Sequence, residues 1–179
     1  MALESASQPA NRAIVQHSAI DVRLVLFAIH QGELWVAVAQ VQERWGLPSV
    51  NLHQGESLDA AALRALREQL GIEHRYIEQL YSLAIEDAAV PSVLISYLGI
   101  ADAGALTASL PGAEWQQAQA MPEISQIDAR IVDYALVRLR AKLGYTTIAF
   151  HLLPTTFSLS ELQQVYEIVL GRELDKRNF

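Results

Sequence analysis

The sequence predicts an α/β sandwich, with helices packed in layers on a sheet, followed by a further helical segment. Three observations carry this. Residues 21–40, DVRLVLFAIHQGELWVAVAQ, hold two runs rich in β-branched residues around a His-Gln-Gly-Glu turn; a capped helical stretch fills 57–70; a second amphipathic helix fills 127–143. Strands, helix, strands and helix in that order are what helices packed on a sheet require.

The 179 residues match one domain, or a domain with a small appendage, since domains commonly run to roughly 100–150 residues. With 51% hydrophobic and 18% charged residues and a mean hydropathy of +0.17, the composition is globular. Residues 1–12, MALESASQPANR, are small and polar and read as a disordered tail. No basic stretch leads into an apolar run, and no segment reaches the roughly 18–20 apolar residues a bilayer demands. A cytoplasmic protein without a membrane partner is therefore expected. The chain has no cysteine, which removes disulfides, thiolate catalysis and Cys-based zinc sites together. Its five histidines include no HxxxH pair, so a His-rich metal site has no support. A net charge of −7 argues against binding nucleic acid through the whole surface, but leaves room for a local basic element.

In chain order, Gly32 supplies the special turn geometry of the first hairpin. A loop is expected over 41–49, where Pro48 disfavours helix at Leu47. Ser57 caps the helix of 57–70, Asp59 suits the positive end of its dipole, and Gly71 is placed to end it in the left-handed conformation. Leu58, Ala62, Ala65, Leu66 and Leu70 mark its buried face, with Arg64, Arg67, Glu68 and Gln69 on the polar edge. Strands follow at 76–85 and 92–101, then an exposed loop at 104–113 and a fifth strand at 113–117. Ile127, Ile131, Ala135 and Leu139 form the inner stripe of the next helix, which Gly144 stops. Beyond it lies a short apolar run closed by Pro154. Ser158 or Ser160 then caps a last helix whose Leu159, Leu162, Val165, Tyr166 and Val169 face inward before Gly171.

Residues 47–72, LPSVNLHQGESLDAAALRALREQLGI, resemble the Nudix box, the loop-helix-loop of hydrolases that cleave nucleoside diphosphates linked to another moiety. That pattern runs glycine, five residues, glutamate, seven residues, Arg-Glu, an aliphatic, one residue, Glu-Glu, one residue, glycine and an aliphatic. Set on Gly71 and Ile72 without a gap, it places the first glycine at Val50, the first glutamate at Glu56 and the arginine at Arg64. Its three metal-binding glutamates fall at Ala65, Glu68 and Gln69. Positions i, i+3 and i+4 share one helix face, so three carboxylates there would hold Mg²⁺ against a pyrophosphate and polarise the attacked phosphorus. Only Glu68 is still a carboxylate. Gln69 offers a neutral carbonyl oxygen and Ala65 offers nothing, so strongly impaired hydrolysis is expected, with Glu68 the remaining candidate metal ligand and Mg²⁺ relevant only to a hydrolytic protein.

The resemblance further implies that Arg64 clamps the loop by pairing with Glu56; the plainer alternative is an Arg64–Glu68 pair one turn apart, worth a few tenths of a kcal/mol. Candidate nucleotide-binding residues are Arg44, just upstream of the box, with Glu56, Arg64 and Glu68. Trp35, Trp45 and Trp115 could each stack on an adenine, although packing is the commoner role of tryptophan.

Residues 76–81, YIEQLY, together with 146–179, TTIAFHLLPTTFSLSELQQVYEIVLGRELDKRNF, resemble the NrtR family, Nudix-related transcriptional repressors of NAD metabolism. This implies a Nudix-like domain over 13–144, its helices on both sides of a mixed sheet, that senses ADP-ribose or a related nucleotide without efficient hydrolysis. It also implies a partial winged helix-turn-helix over 145–179, truncated at Phe179, that binds operator DNA in a homodimer. Asp175 would cap the recognition helix, and Lys176, Arg177 and Asn178 would face DNA. One departure is the loop after the 76–85 strand, expected to be rich in Asp and Arg, which reads EDAAVPS. The competing function is a working Nudix hydrolase that cleaves ADP-ribose or another nucleoside diphosphate derivative, using Glu68, Gln69 and Glu86 or Asp87.

Overall fold

The structure is a computed structural model and describes residues 19–41, 44–73, 76–85, 92–107 and 112–175. The tail expected at 1–12 lies outside them. Among these residues seven strands make one mixed sheet: β1 (Ala19–His30), β2 (Glu33–Val41), β3 (Arg44–Gly46), β4 (Ser49–Asn51), β5 (Tyr76–Ile85), β6 (Ser92–Ile100) and β7 (Ala113–Gln117). The order is β3-β2-β1-β6-β5, with β4 added to β1 and β7 to β2. Helix α1 (Leu58–Leu70) covers one face, and α2 (Gln126–Leu143) and α3 (Leu159–Leu170) cover the other. Among the described residues no helix is long and apolar enough to cross a membrane.

The hairpin turn places Gln31 at φ 51° and Gly32 at φ 80°. Both central residues are thus left-handed, which matches the twist of the flanking strands; glycine adopts this freely, while Gln31 carries the steric cost. β1 then runs parallel to β6, from Ala19 beside Ser92 to Phe27 beside Ile100. Because side chains alternate along a strand, Val22, Leu24, Leu26 and Ala28 enter the core under α1, while Val25 and Phe27 enter the core under α2. Burial on both faces explains why β1 reads as a nearly continuous apolar run. An ion pair anchors α2 to this strand, Arg23 donating to Asp128, whose backbone N–H is capped by Ser125.

The second core does not break at Gly144. It continues from Ile131, Ala135, Leu139 and Leu143 into Ile148 and Leu152 of a 3₁₀ turn (Ile148–Leu152) and on to Val165 and Val169 of α3. Hydrogen bonds fasten the same junction: Arg140 Nε donates to the Val169 carbonyl at 2.8 Å, and the Tyr166 hydroxyl donates to the Leu143 carbonyl at 3.1 Å. On the sheet side, Glu78 of β5 accepts from Tyr76, Arg138 and Lys142, and the Tyr76 ring lies 4.8 Å from that of His151.

Several sequence expectations are corrected. The loop expected at 41–49 contains β3 and the start of β4, because the edges of β2 and β1 offer partners to Arg44–Gly46 and Ser49–Asn51. The loop expected to be exposed at 104–113 begins with a 3₁₀ turn (Ala103–Thr107), and Ala105 is buried with its carbonyl accepting from the Trp115 indole. Ser158, not Ser160, caps α3, forming a reciprocal capping box with Glu161. Leu159 is 76% exposed rather than inward. Side chains in a helix lean toward its N-terminus, so the first residue of α3 projects past the helix and away from the core.

Trp35, Trp45 and Trp115 all sit in the sheet, on β2, β3 and β7. If the core is shared, Val169→Ala in α3 will lower stability by about 2 kcal/mol, and tryptophan fluorescence in a urea titration will report that loss in the same single transition as circular dichroism. Separate transitions would mean two cores.

Candidate functional site

Local chemistry first sets α1. The Ser57 hydroxyl accepts from Ala60 N–H at 3.2 Å, Asp59 lies in the first turn, and Gly71 ends the helix at φ 59°. Asp59 also accepts a 2.6 Å bond from the buried Tyr97 hydroxyl, which ties the helix start to β6; burial and then this bond push the Tyr97 phenol well above its usual range. The loop before the helix is held by Arg64. Its Nε and Nη2 donate to the two oxygens of Glu56 at 2.9 and 2.8 Å, and Nη2 also donates to the Asn51 carbonyl at 2.8 Å. His53 N–H adds a bond to Glu56 at 3.0 Å. The hydrogen bonds from Arg64, then that from His53, hold the Glu56 carboxyl down at about 2. Arg64 thus pairs chiefly with Glu56, and Glu68 is a secondary partner at 3.6 Å.

The three positions aligned with metal-binding glutamates behave differently from one another. Ala65 is fully buried against the sheet. Glu68 is exposed, with 58% of its side chain accessible. Gln69 turns back to β4, where its Oε1 accepts from Ser49 N–H at 3.2 Å and its Nε2 donates to the Ser49 carbonyl. This paired amide contact was missed in the sequence. Gln69 at a position where the motif has glutamate is the hint that the sequence offers. Val50 pairs with Val22 in extended β geometry, a backbone conformation that a residue with a Cβ adopts without strain. Among the described residues no three His, Cys, Asp or Glu side chains gather as a metal site would require.

Two cavities of note are lined by none of Ala65, Glu68 and Gln69. Arg44 and Trp45 of β3 line one of about 590 Å³ with Glu123, Ile124, Ser125 and Gln126 at the start of α2. It joins a cation, an indole face and the positive end of a helix, a combination suited to an anionic, ring-bearing ligand. None of Glu56, Arg64 and Glu68 lines it, so the structure separates Arg44 from the other predicted residues. A larger cavity of about 890 Å³ opens between Asp59, the Tyr76 end of β5 and the segment from Phe150 to Phe157. The indoles of Trp35 and Trp115 each donate to a backbone carbonyl, of His30 and Ala105 respectively, which fits packing roles. Lys176, Arg177 and Asn178 lie outside the described residues, as do Glu86 and Asp87.

Residues 149–179 match the family described as the NrtR DNA-binding winged helix domain. The chain is 31% identical over 174 residues to the ADPR responsive transcriptional repressor NtrR of Acinetobacter baylyi, covering 89% of this chain and 70% of that protein. The chain belongs to the NrtR family. Among solved structures, NrtR of Shewanella oneidensis matches with a TM-score of 0.81 at 29% identity, over 90% of this chain and 82% of that one. The NUDIX domain of the same protein, complexed with ADP ribose, matches with a TM-score of 0.58 at 28% identity, over 68% of this chain and 88% of that one. The mixed sheet with helices on both sides and the eroded box are therefore found in an NrtR setting, with α3, which completes the shared core, lying inside the winged-helix match.

Two outcomes follow from this geometry. A carboxyl whose folded pKa is depressed stabilises above its unfolded pKa of about 4.5 and loses that contribution as pH falls toward its folded value of about 2. The stability difference between wild type and Glu56→Gln, measured by urea denaturation, should be constant above pH 5 (roughly) and shrink across that acid window. Gln69→Glu removes the donor to Ser49 and sets a carboxylate beside a carbonyl oxygen, so a loss of about 1–3 kcal/mol is expected in the same assay.

Proposed function

We propose that this protein is a nucleotide-responsive DNA-binding regulator that recognises ADP-ribose or a related nucleotide without hydrolysing it efficiently. The observation that carries the reading is Gln69: the side chain at a metal-ligand position is spent on Ser49, beside a buried Ala65. One exposed carboxylate, Glu68, makes a poor Mg²⁺ site, because this cation retains water and relies on anionic oxygens. The box then serves as scaffold. Arg64 and Glu56 hold its loop, while Arg44, with Trp45 and the start of α2, supplies charge and stacking surface for the ligand. The sensing part spans 13–144 and the winged-helix part begins at 145, with Lys176, Arg177 and Asn178 as its DNA-facing residues, in a cytoplasmic protein.

The support for coupling is the shared core. A ligand shifts DNA affinity only if it binds two arrangements of the protein unequally, and a continuous core gives any displacement near β1 or α2 a packed route to α3. Calorimetric titration with ADP-ribose, followed by operator mobility with and without it, tests both halves. Binding without AMP release in Mg²⁺ is expected, and Arg44→Ala should weaken binding roughly tenfold, the equivalent of one charge-assisted contact. Turnover that Glu68→Gln abolishes would replace this reading with a hydrolase.

A further inference from the structure

The cavity of about 890 Å³ at the Tyr76 end of β5 has no part in the proposed nucleotide site. Its volume falls within the range of small-ligand sites, roughly 300–1,000 Å³. Both parts of the chain build its walls. Asp59 of α1, Tyr76 and Gln79 of β5 and Asp102 just beyond β6 come from the sheet and box, while Phe150, His151 and Phe157 belong to the segment matched by the winged-helix family. Ring surface is concentrated here: Tyr76 pairs with His151 at a centroid distance of 4.8 Å, and Phe150 with Phe157 at 5.5 Å. Phe150 is 48% exposed and His151 is exposed as well, so these pairs leave ring surface uncovered. Such surface rewards a flat partner, because every planar heteroaromatic ring presents a π-face to stack on.

The polar groups decide which flat ligand fits. Carboxylates accept hydrogen bonds and cannot donate them, and those of Asp59 and Asp102 both line the cavity. Asp59 Oδ1 accepts from the Tyr97 hydroxyl at 2.6 Å, a neutral donor that brings no countercharge, and Asp102 Oδ1 accepts from the Gly104 N–H at 2.9 Å. A third lining carboxylate, Glu78, is already engaged by Tyr76, Arg138 and Lys142. Gln79 adds an amide that both donates and accepts. A phosphate set against Asp59 and Asp102 is repelled, whereas ring N–H and amino groups find acceptors there.

We propose that this junction cavity is a second small-molecule site, for a planar heteroaromatic compound of nucleobase or nucleoside size that donates N–H groups and carries no phosphate. A ligand held there touches both the sheet-and-box part and the winged-helix segment. The Arg44 cavity, with its cation and helix N-terminus, is left to the anionic nucleotide. Among the described residues the two cavities share no lining side chain, so this proposal and the nucleotide reading can fail separately.

Calorimetric titration of the full chain with adenosine, alone and after saturation with ADP-ribose, provides the test, with circular dichroism confirming that each variant is folded. Adenosine is expected to bind under both conditions, and AMP about tenfold more weakly than adenosine because its phosphate meets Asp59 and Asp102. Phe150→Ala should weaken adenosine binding about tenfold by removing a stacking surface while leaving ADP-ribose binding unchanged. Asp59→Asn, which keeps an oxygen for the Tyr97 hydroxyl, should narrow the gap between adenosine and AMP. The proposal is overturned by an absence of adenosine binding, by its loss once ADP-ribose is bound, by AMP binding as tightly as adenosine, or by indifference to either variant. If ADP-ribose fails to bind while adenosine binds and responds to both variants as expected, the nucleotide reading alone falls.

Discussion

The rest of the structure depends on burying β1 from both sides. Its side chains alternate between two cores, so a single strand fixes α1 against one face of the sheet and α2 with α3 against the other. It also receives β2, β4 and β6 as partners, which sets where the box loop begins and where the central parallel pair lies. A strand so engaged cannot shift register without moving every apolar residue to the wrong face. The box helix and the winged-helix segment are consequently tied to one rigid element, though no hydrogen bond described between α1 and α3 is needed to join them.

That arrangement gives the eroded box a physical logic. In a hydrolase, carboxylates on one helix face repel one another until a cation neutralises them, so part of the site depends on metal. Here Ala65 joins the core and Gln69 becomes a clasp on β4, so the same face is satisfied by protein contacts alone. The Arg64–Glu56 pair survives because its work is to hold a loop, which is needed whether or not phosphate chemistry follows.

How much was legible in the sequence depended on the range of the interaction. Ser57, Gly71, Gly144 and Gly171 marked helix ends because caps act within a few residues. The Arg64–Glu56 pair was legible through motif spacing, since the loop and helix are contiguous. The partner of Gln69 was not: Ser49 lies twenty positions away and meets it only once β4 has paired with β1. Arg44 illustrates the same limit. Its proximity in sequence to the box suggested one site, but β3 joins the far edge of β2 and carries it to the start of α2 instead.

By itself, then, the sequence determined the longer strands and the helices, most of their caps, the register of the box and the loss of two of its carboxylates, because periodicity and capping are local physics. Only the tertiary structure decided that Gln69 is a clasp and that one core runs unbroken across Gly144 into α3. Each of those depends on which distant segments meet, and that is set by the summed packing of the sheet rather than by any short stretch of chain.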